Sequence, residues 1–203
     1  MKKIYLARHG ESQWNALNKV QGQTDIPLTD KGISQAKLLG KRLVGENIEK
    51  IYSSDLSRAY ETAQIIGKII NVEVETMKEF REINFGIWEG LSKKELLTNY
   101  KTEYDMWMKN PESLCLKGAE TLVELQARAM EGINKIINSS KNRYNNILIV
   151  SHGATIKTLI LGLLGISLNN FKNLTLGNVG LSIIECRKYN RVLKLFNDMS
   201  HLK

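Results

Sequence analysis

Cysteine and proline are both scarce in this chain, with two residues of each. Cys115 and Cys186 form no C-x-x-C pair and no zinc-site spacing. Free thiols fit a reducing cytosol, so a cytoplasmic location is expected. With few prolines, no low-complexity linker and no internal repeat, residues 1–203 read as one domain. Long apolar runs are missing as well. None approaches the roughly 18 residues of a membrane span, so no membrane partner is expected. Residues 1–7, a charged pair leading into a short strand, are too short for a signal peptide. The pattern G-x-x-x-x-G-K-[ST] is absent, which excludes a P-loop ATPase. Acidic residues are in the minority, 21 against 29 basic ones, for a formal net charge of +8. Such a chain attracts anions, and phosphorylated metabolites or nucleic acid both qualify. No dense basic block with interleaved aromatics and no nucleic-acid module is present, so nucleic acid is not expected as a partner.

What is present is ordinary globular material: 42% apolar and 25% charged residues, enough for an α/β domain with a full core. Residues 4–7 read as a buried strand. Residues 31–44 carry Ile33, Ala36, Leu39 and Leu43 at helical spacing. Residues 50–52 read as a short strand. Residues 55–70 read as a helix through Leu56, Ala59, Ala63, Ile66 and Ile70. Residues 72–76 alternate like a strand, and residues 121–137 carry a helical stripe through Leu122, Leu125, Ala129, Ile133 and Ile136. Residues 147–150 form the clearest buried strand. Residues 181–185 and 192–196 look like a closing pair joined near Tyr189 and Asn190. Strands alternating with amphipathic helices predict a three-layer α/β/α sandwich around a mostly parallel sheet. Residues 84–118 differ. They hold Trp88 and Trp107 with Phe85, Tyr100, Tyr104, Met106 and Met108, and Ser92-x-x-Glu95 is a capping box. This stretch reads as a partly helical lid insert over one sheet edge.

Three predicted strands end in polar residues suited to phosphate, and ligands of open α/β sheets bind beyond the strands' carboxyl ends. The first strand runs into Arg8-His9-Gly10-Glu11-Ser12. The second runs into Ser53-Ser54, with Arg58 in the first turn of the next helix. The third runs into Ser151-His152-Gly153. Parallel strands here would bring both histidines and both arginines to one edge. Singly, each residue has an ordinary reading, a structural histidine or a solvated arginine. Arg58 is harder to dismiss, because a cation in a helix's first turn faces the positive end of the dipole. A shared anion would remove that conflict. Gly10 and Gly153 each follow a histidine, and glycine lets backbone approach a ligand.

This constellation resembles the histidine phosphatase superfamily, which includes the cofactor-dependent phosphoglycerate mutases. The likeness spans five blocks in order. Arg8-His9-Gly10-Glu11-Ser12 with Trp14 and Asn15 looks like the signature. Gln21-Gly22, Asp25 to Thr29 and Gly32 look like the following loop and helix start. Ser53 to Ala59 with Thr62 and Ala63 looks like the second arginine block, Arg81-Glu82 with Phe85-Gly86 and Trp88-Glu89-Gly90 like the acid block, and Ser151-His152-Gly153 like the second histidine.

The resemblance implies that His9 attacks phosphorus and holds the phosphoryl group covalently, with a backbone carbonyl or similar acceptor fixing its other ring nitrogen. Arg8, Arg58 and His152 would surround the equatorial oxygens. Glu82 would protonate the leaving oxygen and then activate water. It is selected over Glu79 and Glu89 by resemblance alone. Asn15, Gln21, Gly22 and Gly153 would line the phosphate site. The implied enzyme is a metal-independent phosphomonoesterase with no cofactor, acting on a small-molecule phosphomonoester. A homodimer is left open. Ile83, Asn84, Phe85 and Gly86 supply no cation after Glu82. A mutase would need cations there, and the chain is also short for that branch. The block looks instead like the small phosphatases, which include broad-specificity and α-ribazole phosphatases. A phosphoglycerate mutase and an inactive phosphate-binding regulator are the alternatives. His201 is given no role.

Overall fold

The computed structural model describes residues 2–138 and 144–203. Among these, six strands form one sheet in the order β3-β2-β4-β1-β5-β6. They are β1 (Lys2–Arg8), β2 (Lys50–Ser53), β3 (Val74–Thr76), β4 (Asn146–Ser151), β5 (Leu181–Cys186) and β6 (Arg191–Asp198). β1 to β4 run parallel, and β5 and β6 close one edge antiparallel. The fold is therefore mixed α/β with a mostly parallel sheet, as the alternating pattern predicts.

A short helix, α1 (Gln13–Ala16), follows β1. Side chains on β1 alternate between the faces, as strand geometry requires. Ile4 and Leu6 join Tyr52, Ile147 and Ile149 on one face, against α6 (Leu122–Asn138) and α7 (Gly153–Leu164). Tyr5 and Ala7 join Ile51, Leu148 and Val150 on the other, against α2 (Asp30–Leu43) and α3 (Ser57–Ile70). Each buried Leu or Ile contributes roughly 1.5–3 kcal/mol, so this packing, rather than helix propensity, holds the layers together. The stripes predicted over residues 31–44, 55–70 and 121–137 are the buried faces of α2, α3 and α6. Arg58 stands in the first turn of α3, whose N-cap Leu56 makes no side-chain capping bond.

The helix α7 has no counterpart in the sequence prediction. Eight of its residues are buried, including Ile156, Leu159, Ile160 and Leu161. It packs on the sheet with one side and on Ile83, Leu122, Leu125 and Phe171 with another. A helix covered nearly all round has no polar face and so shows no stripe.

Residues 84–118 contain a 3-10 turn, Gly86–Trp88, then α4 (Lys93–Asn99) and α5 (Lys101–Lys109). Ser92 and Glu95 form the predicted capping box at α4. Trp88, Leu96, Leu114 and Leu116 make a separate apolar cluster, joined by Tyr100, Tyr104 and Trp107. Most of the aromatic residues here therefore pack the segment, while Met108 is exposed. Among the described residues no helix is long and apolar enough to cross a membrane.

Candidate active site

The parallel register sets Arg8 beside Ser151 and Ser53 beside Val150, so β1, β4 and β2 end at the same level. His9, Ser54 and His152 follow these ends. The chain leaves β1 with His9 N–H on the Ser151 carbonyl (2.9 Å), and leaves β2 with Ser54 N–H on the Val150 carbonyl (3.0 Å). His9 and His152 thereby come together, ring centroids 5.1 Å apart and planes inclined at 59°.

His9 is 2% exposed. Its Nδ1 lies 2.7 Å from the Gly10 carbonyl oxygen. A carbonyl only accepts, so Nδ1 carries the proton and Nε2 keeps its lone pair. No described residue hydrogen-bonds to Nε2. Burial pushes the His9 pKa well below the ordinary histidine value of 6.5, and Arg58 and Arg8 push it further. His152 is fully buried, and its pKa is lowered in the same direction by burial, Arg58, His9 and Arg8. Its Nε2 lies 2.9 Å from Ser54 Oγ, which also accepts from Leu56 N–H at 3.2 Å. The Ser54 proton is thus free for Nε2, which favours the tautomer with His152 protonated on Nδ1. That nitrogen has no hydrogen-bond partner among the described residues.

Both arginines are anchored by backbone carbonyls. Arg8 donates to the Leu176 carbonyl (2.8 Å) and Arg58 to those of Gly22 (2.8 Å) and Thr24 (2.9 Å). Carbonyls orient a guanidinium without neutralising it. Burial lowers the pKa of both, that of Arg58 to about 10, and the Nε of each has no hydrogen-bond partner among the described residues. Thr62 links the halves of the site. Its hydroxyl donates to the Arg58 carbonyl (2.7 Å) and accepts from Gly10 N–H (3.1 Å).

Glu82 sits at the N-terminus of α7. Its carboxylate accepts from Ile83 N–H (3.0 Å), Ala154 N–H (3.3 Å), Thr155 N–H (3.2 Å) and the Thr155 hydroxyl (3.2 Å). The other two candidate acids are occupied elsewhere. Glu79 pairs with Lys135 at 2.7 Å on the surface. Glu89 is taken up by Gln23, Thr24 and Phe85 backbone N–H groups and the Thr24 hydroxyl.

Asn15 and Gln21 have their amide oxygens occupied. Asn15 Oδ1 accepts from Asn178 Nδ2 (3.0 Å) and Ser12 N–H (3.3 Å), and Gln21 Oε1 accepts from Ser12 Oγ (2.6 Å). Their NH2 groups, suited to an anion, bond to no described residue. Gly22 is at φ +54° and supplies the Arg58 anchor. The two glycines after the histidines differ. A Cβ at Gly153 would lie 3.7 Å from Arg8 Nε and 3.8 Å from Glu82 Oε2, so this glycine borders the site. A Cβ at Gly10 would strike the Gly32 backbone, so the approach of α2 by itself requires a glycine there.

Four contributors escaped the sequence reading. The loop before β5 brings Leu176, Asn178 and Val179 against Arg8 and His9. Val179 N–H donates to the Arg8 (3.1 Å) and His9 (3.3 Å) carbonyls, and Asn178 Nδ2 to the His9 carbonyl (3.1 Å). Val179 is held at φ +52°, a conformation that a β-branched residue adopts only under strain of about 1–3 kcal/mol. Gly177 and Gly180 on either side of Asn178 and Val179 were the available signal. The fourth is Lys157 on α7. A cavity of about 280 Å³ runs from Arg8, Glu82 and Gly153 to Lys157, Phe171, Phe85 and Trp107. Among the described residues no group of three or more His, Cys, Asp or Glu side chains is arranged to hold a metal ion.

The model of the histidine phosphatase superfamily (branch 1) matches residues 4–199. The chain belongs to this superfamily. Phosphoserine phosphatase 1 of Hydrogenobacter thermophilus is 32% identical over 203 residues, covering 100% of this chain and 95% of that protein. A probable phosphoglycerate mutase GpmB of Proteus mirabilis is 32% identical over 212 residues, covering 100% and 95% respectively. The Entamoeba histolytica phosphoserine phosphatase in complex with 3-phosphoglyceric acid superimposes with a TM-score of 0.88 at 35% identity, over the whole of both chains. A mutant of that protein in complex with phosphoserine gives 0.87 at 36% identity.

Proposed function

We propose that this histidine phosphatase hydrolyses small organic phosphomonoesters through a phosphohistidine on His9, without a metal ion. The observation that carries the reading is the 2.7 Å contact of His9 Nδ1 with the Gly10 carbonyl, which leaves Nε2 unprotonated in a pocket of cations. Nε2 attacks phosphorus as the bond to the ester oxygen breaks. Arg8, Arg58 and the Nδ1–H of His152 receive the equatorial oxygens, in place of a divalent ion. The NH2 groups of Asn15 and Gln21 and the opening at Gly153 border the same phosphate. Glu82 gives its proton to the leaving alcohol, then takes one from the water that attacks phosphohistidine. Hydrolysis returns His9 to its starting state and releases inorganic phosphate.

A mutase reading is favoured by one relative's name and by Lys157, a cation that α7 brings to the site although the segment after Glu82 has none. Against it stands that cation-free segment. A purely regulatory phosphate binder would not need the His9 tautomer or a carboxyl group beside Arg8.

Rapid quenching with a labelled phosphomonoester tests the mechanism. The protein should carry an acid-labile, alkali-stable phosphoryl group that His9→Ala lacks, while His152→Ala retains only a trace of turnover. Wild-type rates in His9→Ala would sink the proposal. With 3-phosphoglycerate, release of phosphate separates a hydrolase from a mutase, which would return mainly the 2-isomer.

A further inference from the structure

The reacting groups account for one end of the cavity and leave the other unexplained. Beyond Glu82 lies Lys157, one turn further along α7 than Gly153 and Ala154. Residues three and four apart on a helix have Cβ atoms only about 5–6 Å apart. Lys157 therefore lines the same pocket one turn on from Gly153, the glycine that borders Arg8 and Glu82.

This ammonium is half-buried and, unlike Arg8 and Glu82, has no hydrogen bond or ion pair with any described residue. Its Nζ lies over the Phe171 ring, 3.5 Å from the centroid. A ring face attracts a cation but does not replace hydrogen bonds to three N–H groups. Phe171, Trp107 and Phe85 form an edge-to-face row, with centroids 5.3 and 5.2 Å apart, that keeps this end of the cavity apolar. Burial lowers the Lys157 pKa to about 8, with Glu82 opposing the shift.

We infer that Lys157 binds a carboxylate on the alcohol half of the substrate, so that the preferred ester is a small phosphomonoester bearing a carboxylate a few atoms from the ester oxygen. This rests on the phosphohydrolase reading above and narrows it. Phosphate lies at Arg8, Arg58 and His9, the ester oxygen at Glu82, and the carboxylate at Lys157 against Phe171. A nucleoside monophosphate such as α-ribazole phosphate has no carboxylate to offer, so the inference disfavours it. The cavity of about 280 Å³ lies just under the ~300–1,000 Å³ range of drug-sized sites and, lined by Glu82 and Lys157 but not by His9 or Arg58, suits the alcohol half of a compact ester.

The test compares matched esters by phosphate release: 3-phosphoglycerate with glycerol 3-phosphate, and phosphoserine with phosphoethanolamine. The wild-type protein should prefer the carboxylated member of each pair in kcat/KM by about ten-fold or more, the scale of a charge-assisted hydrogen bond. Lys157→Met keeps the aliphatic stem over Phe171. It should lower kcat/KM for the carboxylated esters about ten- to hundred-fold more than for their partners, chiefly through KM. No wild-type preference in either pair overturns the inference, whatever the variant does. So does a preference that Lys157→Met leaves intact. Turnover of p-nitrophenyl phosphate through His9 separates the levels: if it proceeds without a carboxylate preference, only the role of Lys157 falls. Failure to release phosphate from any of these esters overturns the hydrolase reading with it.

Discussion

Arg81 and Asp55 form a two-pronged ion pair, with Nε to Oδ1 at 2.7 Å and Nη2 to Oδ2 at 2.6 Å. It ties the residue preceding Glu82 to the loop between Ser54 and Arg58. From the other side, Arg128 donates to the carbonyls of Glu79 (2.9 Å), Arg81 (3.2 Å) and Glu82 (3.3 Å) while paired with Glu120. The carboxyl group is thus held from both sides by charge pairs that do not face the phosphate themselves.

Arg81→Ala should accordingly lower kcat for alkyl phosphates by about 10- to 100-fold, the scale of a misplacement of about 1 Å. Nitrophenyl phosphate, which needs less proton donation, should lose less. The pair is partly open to solvent and adds little to stability, so the melting temperature should move by only a few degrees. Equal losses on both esters would mean that the ion pair does not act through Glu82.

Glu82→Gln should separate the same two classes more sharply. Glutamine keeps the shape and can keep its oxygen on Ile83 and Thr155, giving up the long 3.3 Å bond from Ala154 N–H. It cannot donate an acidic proton. Turnover of alkyl esters should fall by about 10²–10⁴-fold, with a smaller loss for nitrophenyl phosphate in single-turnover phosphorylation and accumulation of phosphohistidine. Identical losses would assign the proton to another group.

How much of this was legible beforehand differs from residue to residue. Arg8, His9, Ser53, Ser54, His152 and Gly153 stand directly at strand ends, where a short apolar run gives way to polar residues, so position along the chain was enough. Arg58 was visible because its charge opposes the helix dipole. Glu82 has no such local sign. Its neighbours Glu79 and Glu89 look identical in sequence, and only their partners, Lys135 and the turn at Gln23 and Thr24, tell the three apart. Lys157 was hidden because α7 is apolar on nearly every side, so no stripe marked the helix or the face that this lysine leaves by. Val179 carried no sign of its own beyond the flanking Gly177 and Gly180: a left-handed valine is imposed by tertiary contacts against its own preference.

Stability should depend on pH through the two buried imidazoles. His9 and His152 stay neutral in the folded protein because burial and the arginines hold their pKa values well below 6.5. Unfolding returns both to about 6.5, so below that pH the unfolded chain binds protons that the folded one refuses. The melting temperature should therefore fall as pH drops from about 6.5 toward 5, before most carboxylates titrate. His9→Asn should flatten that slope. A slope unchanged in the variant would show that His9 does not titrate differently on unfolding.

Chelation should leave turnover unchanged, since Arg8, Arg58 and His152 supply the charge in the proposed site. Loss of phosphate release in EDTA, restored by magnesium or zinc, would require a different mechanism.

The bonds that hold His9 come from far along the chain. Its N–H rests on Ser151, and its carbonyl is gripped by Asn178 and Val179. During synthesis, at about 5–20 residues per second, Val179 leaves the ribosome roughly ten to thirty seconds after His9. Until then Arg8 lacks its Leu176 anchor and the His9 carbonyl lacks both its donors, so a nascent chain can bury much of its sheet while the site is still incomplete. Competence for chemistry arrives in one late step, with the loop before β5.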